Sequence, residues 1–491
     1  MLAVAATLAL WGSLSPGPYA VGFQVDFLRD PIRRYDIDRK PRPVLAAIWY
    51  PAQVETGAPL HFHDYLELPP SEPSLDIFVK RLMRFTRAVV IDDLFQRAAS
   101  GLSADQRATF DRLMSTEVHA RRSAKPLSNT FPLILYSHGS GGTYEENSVL
   151  FEYLASHGYV IISTAFQCSD AAYPGDCGGA TRMRDLDLLA RHAATIPYID
   201  SSKVVLMGHS AGGQSSIQYA FRDDFARAVV SFDSTIEQWG LTDPRFEPLR
   251  RVMEENDRYA VPTLLFAPMR HATSGRLTVA PKFADFDKPM KFAERYDVTV
   301  DGLAHDEYLS DGVLADAFLN TSRRRQMYEH ICALTLRFLD IELKGAAGPL
   351  GSAGDAALHT NRKPPHRLPP TALELLVIFD HEGPEKTRHY LESSGEEFDG
   401  EQLFALGSMF LADGRTQDAL RISRWAIRYW PKLPGSHAFQ GEVLATTGDV
   451  GKAREAFRKA LELVDRDKSL SPDQKSMSRA VIEKTMRVLP Q

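Results

Sequence analysis

The chain has 491 residues, too many for one ordinary hydrophobic core, so two folding units are expected. With 44% hydrophobic and 24% charged residues it has a globular balance, and a net charge of -6 with no basic stripe leaves no footprint for nucleic acid. Three cysteines exclude a disulfide-held scaffold, although Cys168 and Cys177, nine positions apart in a Gly/Asp/Pro-rich loop, would bridge in an exported chain.

Residues 2–11 are apolar but too short to span a bilayer, and Gly12-Ser13-Leu14-Ser15-Pro16 follows them. The segment resembles the middle of a secretory signal peptide without its positively charged start. With the cysteine pair it favours a periplasmic or secreted location, the cytoplasm being the alternative, and no transmembrane span is expected. From Tyr19 to Leu343 short apolar runs alternate with helix-patterned segments, the mark of an α/β unit with a mainly parallel, doubly wound sheet. Candidate strands are Val44–Tyr50, Pro132–Ser137, Val160–Thr164, Val204–Gly208, Ala228–Phe232, Thr263–Phe266 and Tyr296–Val300. Gly57 to Ser128 is too long for a loop and has helical patterning at Leu75–Phe85, Ala88–Ala98 and Ser103–Ala120, so residues 57–128 are expected to form a helical insertion. Cys332 falls in an apolar helical segment and is expected in the core.

Residues 346–371 are first Gly/Ala-rich and then Pro-rich, which predicts a linker between a unit of residues 1–345 and one of residues 372–491. Past it, Gly407, Phe410, Gly414, Ala419 and Ala426 are matched 34 positions later by Gly441, Leu444, Gly448, Ala453 and Ala460. That period, with glycine between two helices and alanine where helices cross, resembles the tetratricopeptide repeat. A weaker copy has Gly383 in its turn, and Ser476 to Leu489 reads as a capping helix. Such an all-α domain is expected to bind a protein partner or a second copy of the chain.

The chemistry concentrates at Gly208-His209-Ser210-Ala211-Gly212, which follows the apolar run 204–207. A serine on a sharp strand-to-helix turn needs glycine-sized neighbours, and the pattern reads as a nucleophile elbow for acyl transfer. Such a serine needs a base, an acid that orients the base, and donors for the oxyanion. Asp233 ends the next strand and is the candidate acid, with capping of the segment 234–237 as its structural alternative. His305, after the strand ending at Val300, is the candidate base, ahead of His271 and His330. Asp301 and Asp306 lie too near His305 in sequence to orient its ring. The backbone N–H groups of Ala211 and of Ser140, in the loop His138-Gly139-Ser140-Gly141-Gly142, are the candidate oxyanion donors, and His138 is expected to support that loop. No Lys-Ser/Thr follows these glycines, which excludes a Walker-type phosphate loop. His61-Phe62-His63-Asp64 lacks further nearby ligands, so no metal or other cofactor is expected, and the charged stretch Arg182 to Asp187 reads as a solvated first helical turn.

Residues 46–52, 136–142, 154–160, 208–213 and 231–233, followed by His305, occur in the order found in platelet-activating-factor acetylhydrolase-like and dienelactone-hydrolase-like α/β-hydrolases. The resemblance covers about the first 345 residues and is greater to the acetylhydrolase branch, since the dienelactone branch typically uses cysteine as nucleophile. It implies an α/β-hydrolase fold, a Ser210-Asp233-His305 triad, oxyanion donors at Ser140 and Ala211, and a structural role for an Arg/Asp pair like that at 182–187. The expected activity is that of a serine carboxylic-ester hydrolase on short-acyl or phospholipid-type esters, with a small-molecule or lipid ester as substrate. Ser140 stands where that branch usually carries an apolar residue, and the insertion from Cys168 to Gly179 is unfamiliar. The alternatives are a repeat-mediated interaction protein on a vestigial hydrolase scaffold, and an acyltransferase or peptidase on the same fold.

Overall fold

In the computed structural model the chain divides into two compact units, Met1–Pro365 and His366–Gln491. The structure describes residues 10–35, 39–68, 72–95, 101–165, 178–223, 225–269, 271–273, 276–314, 316, 323–351, 357–393 and 400–489. Residues 2–9 of the signal-like segment, and both Cys168 and Cys177, lie outside the described residues. Cys332 is buried, and that burial pushes its thiol up.

The first unit is built on strands β1 (Ala20–Arg34), β2 (Pro41–Ala52), β3 (Ala58–His61), β4 (Glu117–Arg122), β5 (Phe131–Ser137), β6 (Val160–Ser163), β7 (Ile199–His209), β8 (Ala226–Phe232), β9 (Thr263–Pro268), β10 (His271–Thr273), β11 (Arg276–Val279), β12 (Arg295–Val300) and β13 (Leu358–Lys363). All but the β10–β11 pair join one mixed sheet in the order β3-β4-β1-β2-β6-β5-β7-β8-β9-β12-β13. The run from β6 to β12 is parallel throughout. Its strands are buried on both faces, and neighbours in sequence face opposite cores as the two-residue strand period requires. Ile134, Tyr136, Val205, Met207 and Val230 join one core, and Leu133, Leu135, Val204, Leu206 and Val229 join the other.

Several expected boundaries change. The segment 57–128 is not wholly helical, because β3 and β4 pair with each other and β4 adds to β1. Between them the two helical stretches expected at 75–98 are one helix, Asp76–Phe95, carried through by the fully buried Thr86. The next helix, Ala104–Met114, starts at a Ser103/Gln106 capping box and stops before β4, six residues short of the expected end at Ala120. The expected linker, residues 346–371, contains β13, which pairs antiparallel with β12 over its full length and belongs to the first unit. Half of its residues are exposed, all but Leu358 are polar, and Arg362 is ion-paired with Glu294, a composition suited to a sheet edge.

The second unit contains helices Ala372–Glu382, Pro384–Ser393, Glu401–Ala412, Thr416–Tyr429, Pro434–Thr446, Val450–Arg466 and Pro472–Arg487. The last begins earlier than expected, at a Ser471/Gln474 capping box. Positions 34 apart in sequence do matching work. Gly414 and Gly448 take φ of +73° and +88° between helices, and Ala419, Ala426, Ala453 and Ala460 are fully buried. Among the described residues, no helix is long and apolar enough to cross a membrane.

A β-carbon on Gly407 would lie 2.1 Å from Cζ of the buried Phe439, whereas one on Gly451 would meet nothing within 4 Å. Gly407→Ala is therefore expected to destabilise the second unit by about 1–3 kcal/mol, and Gly451→Ala, within a helix, to stabilise it by up to about 1 kcal/mol. Chemical denaturation followed by far-UV circular dichroism checks both signs.

Candidate active site

β7 runs directly into helix Ala211–Arg222 through Ser210, whose φ of +53° and ψ of -122° no ordinary strand or helix residue adopts. The turn is held by close backbone packing. A β-carbon on Gly208 would stand 2.5 Å from the Gly212 backbone, one on Gly212 only 1.8 Å from the Ser137 oxygen, and one on Gly213 2.5 Å from Ser231 Oγ. Glycine at all three positions lets the helix lie against the ends of β5, β7 and β8.

Adjacent strands deliver the other groups to this edge. The Ser210 N–H donates to the Phe232 oxygen at 3.0 Å, at the end of β8, and the following residue is Asp233. Asp233 has φ of +40°, and its N–H donates to the Phe266 oxygen of β9 at 2.8 Å. The short helix that follows, Ile236–Trp239, has Thr235 at its N-cap and no side-chain cap hydrogen bond. Asp233 Oδ2 accepts from His305 Nδ1 at 2.7 Å. That bond commits Nδ1 as the donor and leaves Nε2 as the basic nitrogen. Burial opposes charge on His305, but the hydrogen bond and charge of Asp233, with smaller contributions from Asp306 and Glu237, outweigh it and raise its pKa above 6.5. Asp301 and Asp306 are exposed, His330 is on helix Arg323–Lys344, and the side chain of His271 lies outside the described residues.

The loop after β5 lies against Ser210, since a β-carbon on Gly139 would be 3.4 Å from Ser210 Cβ. Ser140 is exposed on that loop and Ala211 is half-buried at the first position of the elbow helix. His138 is fully buried, with Nδ1 2.6 Å from the Gly139 oxygen. Burial, aided by nearby Arg182, pushes its pKa down to about 3, so it is neutral and donates to that carbonyl.

Three features were not read from the sequence. Arg182 and Asp185 are not solvated. Arg182 is 2% exposed and donates to the His138 and Gly139 oxygens, while Asp185 is fully buried and receives Arg33 at 2.6 Å and Arg42 at 2.7 Å. His209, inside the elbow motif, has Nε2 2.9 Å from the His305 oxygen and its ring 4.5 Å from the His305 ring. Burial, reinforced by His305, holds His209 well below 6.5, so a neutral Nε2–H fixes the backbone that carries His305. Glu237, four residues after Asp233, is fully buried and accepts from Ser234 Oγ.

Among the described residues, two groups could present donors to a metal ion: His61, His63 and Asp64, and His209, His305 and Asp306. In the first, Asp64 already receives Arg122 at 3.0 Å and the His61 N–H at 2.8 Å, so a guanidinium supplies the positive charge there. His61 and His63 line an open cavity of about 430 Å³ with Glu67, Arg87, Asp111 and Met114. In the second, His305 Nδ1 is bound to Asp233 and His209 Nε2 to a backbone carbonyl.

No family model matches the chain. Chlorophyllase type 0 of Chenopodium album is 25% identical over 124 residues, which are 22% of this chain and 34% of that protein. The chain thus spans about a third of the length of this curated relative. A ferulic acid esterase from Streptomyces cinnamoneus superposes with a TM-score of 0.46 at 16% identity, covering 70% of this chain and 98% of that one.

Burial, then the charge of Asp233, pushes the Glu237 carboxyl from 4.5 up to about 8. The unfolded chain ionises this group near pH 4.5 and the folded chain does not, so its contribution to stability is intact below pH 4.5 and is lost progressively up to about pH 8. The loss is up to about 1.4 kcal/mol per pH unit. Glu237→Gln is expected to remove that slope, gaining on wild type between pH 5 and pH 8 in urea denaturation of the first unit.

Proposed function

We propose that the chain is a serine carboxylic-ester hydrolase of the α/β-hydrolase type. One observation carries this reading: the His305–Asp233 hydrogen bond of 2.7 Å stands at the sheet edge where the strained Ser210 leaves β7. His305 takes the proton from Ser210 Oγ as the hydroxyl attacks the ester carbonyl, and Asp233 holds the imidazole in the required tautomer. The tetrahedral oxyanion is met by the N–H groups of Ala211 and Ser140. Its collapse expels the alcohol, which takes the proton from His305, and a water activated by the same ring releases the acid and frees Ser210.

Short-acyl or phospholipid-type esters are the proposed substrates. The insertion helix Asp76–Phe95 packs on Ser310–Leu314, just past His305, and so borders the site where acyl or alcohol selection would act. The second unit is proposed as a tetratricopeptide-like array for a protein partner or a second copy of the chain, supported by the matching roles of residues 34 apart. A periplasmic or secreted location rests on the signal-like N-terminus and the Cys168/Cys177 pair.

On p-nitrophenyl acetate, Ser210→Ala and His305→Ala are expected to lower turnover at least about 1,000-fold, and Asp233→Asn about 1,000- to 10,000-fold. Because the base must be neutral and Asp233 raises the His305 pKa above 6.5, kcat/KM should climb with pH through a midpoint above 6.5. That midpoint should fall in the residual activity of Asp233→Asn. Wild-type turnover in both Ser210→Ala and His305→Ala would refute the assignment.

A further inference from the structure

We infer that Arg182 and Glu146 are positioning residues that aim and polarise the Ser140 N–H at the oxyanion. The inference rests on the hydrolase reading above. It comes from how two consecutive peptide groups are gripped. In the peptide between His138 and Gly139, the carbonyl oxygen accepts from Arg182 Nη1 at 2.5 Å, and the N–H donates to Glu146 Oε1 at 3.3 Å. A cation and a carboxylate thus hold opposite ends of one peptide dipole. Both side chains are buried, Arg182 at 2% exposure and Glu146 at 1%, and Tyr136 Oη donates to the same Oε1 at 2.8 Å. A β-carbon on Gly142 would lie 2.0 Å from Glu146 Oε2, so the loop closes directly over this carboxylate.

The next peptide, between Gly139 and Ser140, has its oxygen held by three donors. Arg182 Nη2 stands at 3.2 Å, the Gly142 N–H at 3.2 Å and His138 Nδ1 at 2.6 Å. The Ser140 N–H is the other end of that planar trans unit and points opposite to its carbonyl. With the oxygen drawn toward Arg182, the N–H is turned to the far side of the loop. A guanidinium on the carbonyl also withdraws electron density through the amide, which makes the N–H a stronger donor to a developing negative charge. An N–H goes where its peptide plane goes, and the donors on the Gly139 oxygen hold that plane. Arg182 therefore acts through Ser140 and does not itself touch substrate.

The test compares Arg182→Lys, Arg182→Gln and Glu146→Gln with wild type and Ser210→Ala in the full chain, with rates divided by the concentration of titrated active sites. Arg182→Lys keeps the charge but spans one carbonyl, and it stands in for Arg182→Gln should the latter not fold. On p-nitrophenyl acetate, kcat and kcat/KM of the Arg182 variants should fall together by about 10- to 100-fold, with Glu146→Gln losing less. The inhibition constant of an alkyl boronic acid, which forms a tetrahedral anion on a serine hydroxyl, should rise by the same factor. The pH midpoint assigned to His305 should not move. A purely structural role would reduce the number of titrated sites and leave the rate per site and the boronate affinity alone. That result with Ser210→Ala inactive overturns this inference only, as does a loss confined to KM. Full activity in Ser210→Ala overturns the inference together with the hydrolase reading.

Discussion

The Gly212 backbone approaches the Ser137 carbonyl so closely that one methyl group would sit 1.8 Å from its oxygen. That contact sets the distance between the elbow helix and the end of β5, and through it the distance between Ser210 and the loop His138–Gly142. Were the helix displaced to admit a side chain, Ser210 and Gly139 would part, and no local rearrangement of either could restore both the elbow and the loop. The same approach forces positive φ on Ser210. A non-glycine residue held there costs of order 1–3 kcal/mol, and it persists only where the surrounding structure over-determines it. Here the constraint comes from parallel strands β5, β7 and β8, whose inner residues are almost all inaccessible to solvent.

Strain and buried charge work together around this edge. Ser210, Asp233 and Thr235 all have positive φ, and each stands where a strand has just ended. Asp233 is turned by its own backbone bond to Phe266, so its carboxylate faces His305 and not the helix it precedes. Placing Glu237 nearby adds a second carboxyl in the same buried space. Burial and the charge of Asp233 push that carboxyl up to about 8, so near neutral pH Glu237 adds no second buried negative charge beside Asp233. His209 adds to the arrangement by bonding to the backbone of His305. Its neutrality matters, since a second imidazolium 4.5 Å from His305 would oppose positive charge on that ring.

What could be read from the sequence follows how locally each feature is determined. Strands β5 to β9 and β12 are short apolar runs bounded by turn residues, and Ser210, Asp233 and His305 each come just after such a run, so the groups now seen at one edge were legible as strand-end positions. The alternation in β1 is equally local, with Val21, Phe23, Val25 and Phe27 on one core. β13 offered no such pattern, because its partner β12 supplies the pairing and only Leu358 of the strand is buried. The stretch from Arg182 to Asp187 misled for a different reason. High charge density normally means solvent, and Asp185 is buried because Arg33 and Arg42, some 140 to 150 positions earlier, neutralise it. No local pattern reports a partner that distant.

Glycine serves three separate physical ends in this chain, and the distinction explains why a shared residue type carried different predictive weight. At the elbow it permits backbone to touch backbone. At Gly407 and Gly441 in the second unit it admits the rings of Phe439 and Phe457 against a helix, with virtual β-carbons only 2.1 Å and 2.8 Å from those rings. At Gly414 and Gly448 the surroundings are open and only the left-handed backbone demands it. The first and last uses have short-range signatures, a motif and a helix end. The ring contacts have no such signature, and they are not equivalent under the 34-residue period: Phe439 lies 32 positions after Gly407, whereas Phe457 lies 16 after Gly441. The two glycines thus share a position in the 34-residue period while the rings that require them come from different places, Phe439 of helix Pro434–Thr446 against Glu401–Ala412 and Phe457 of helix Val450–Arg466 against Pro434–Thr446, so the period fixes where space is needed and not what fills it.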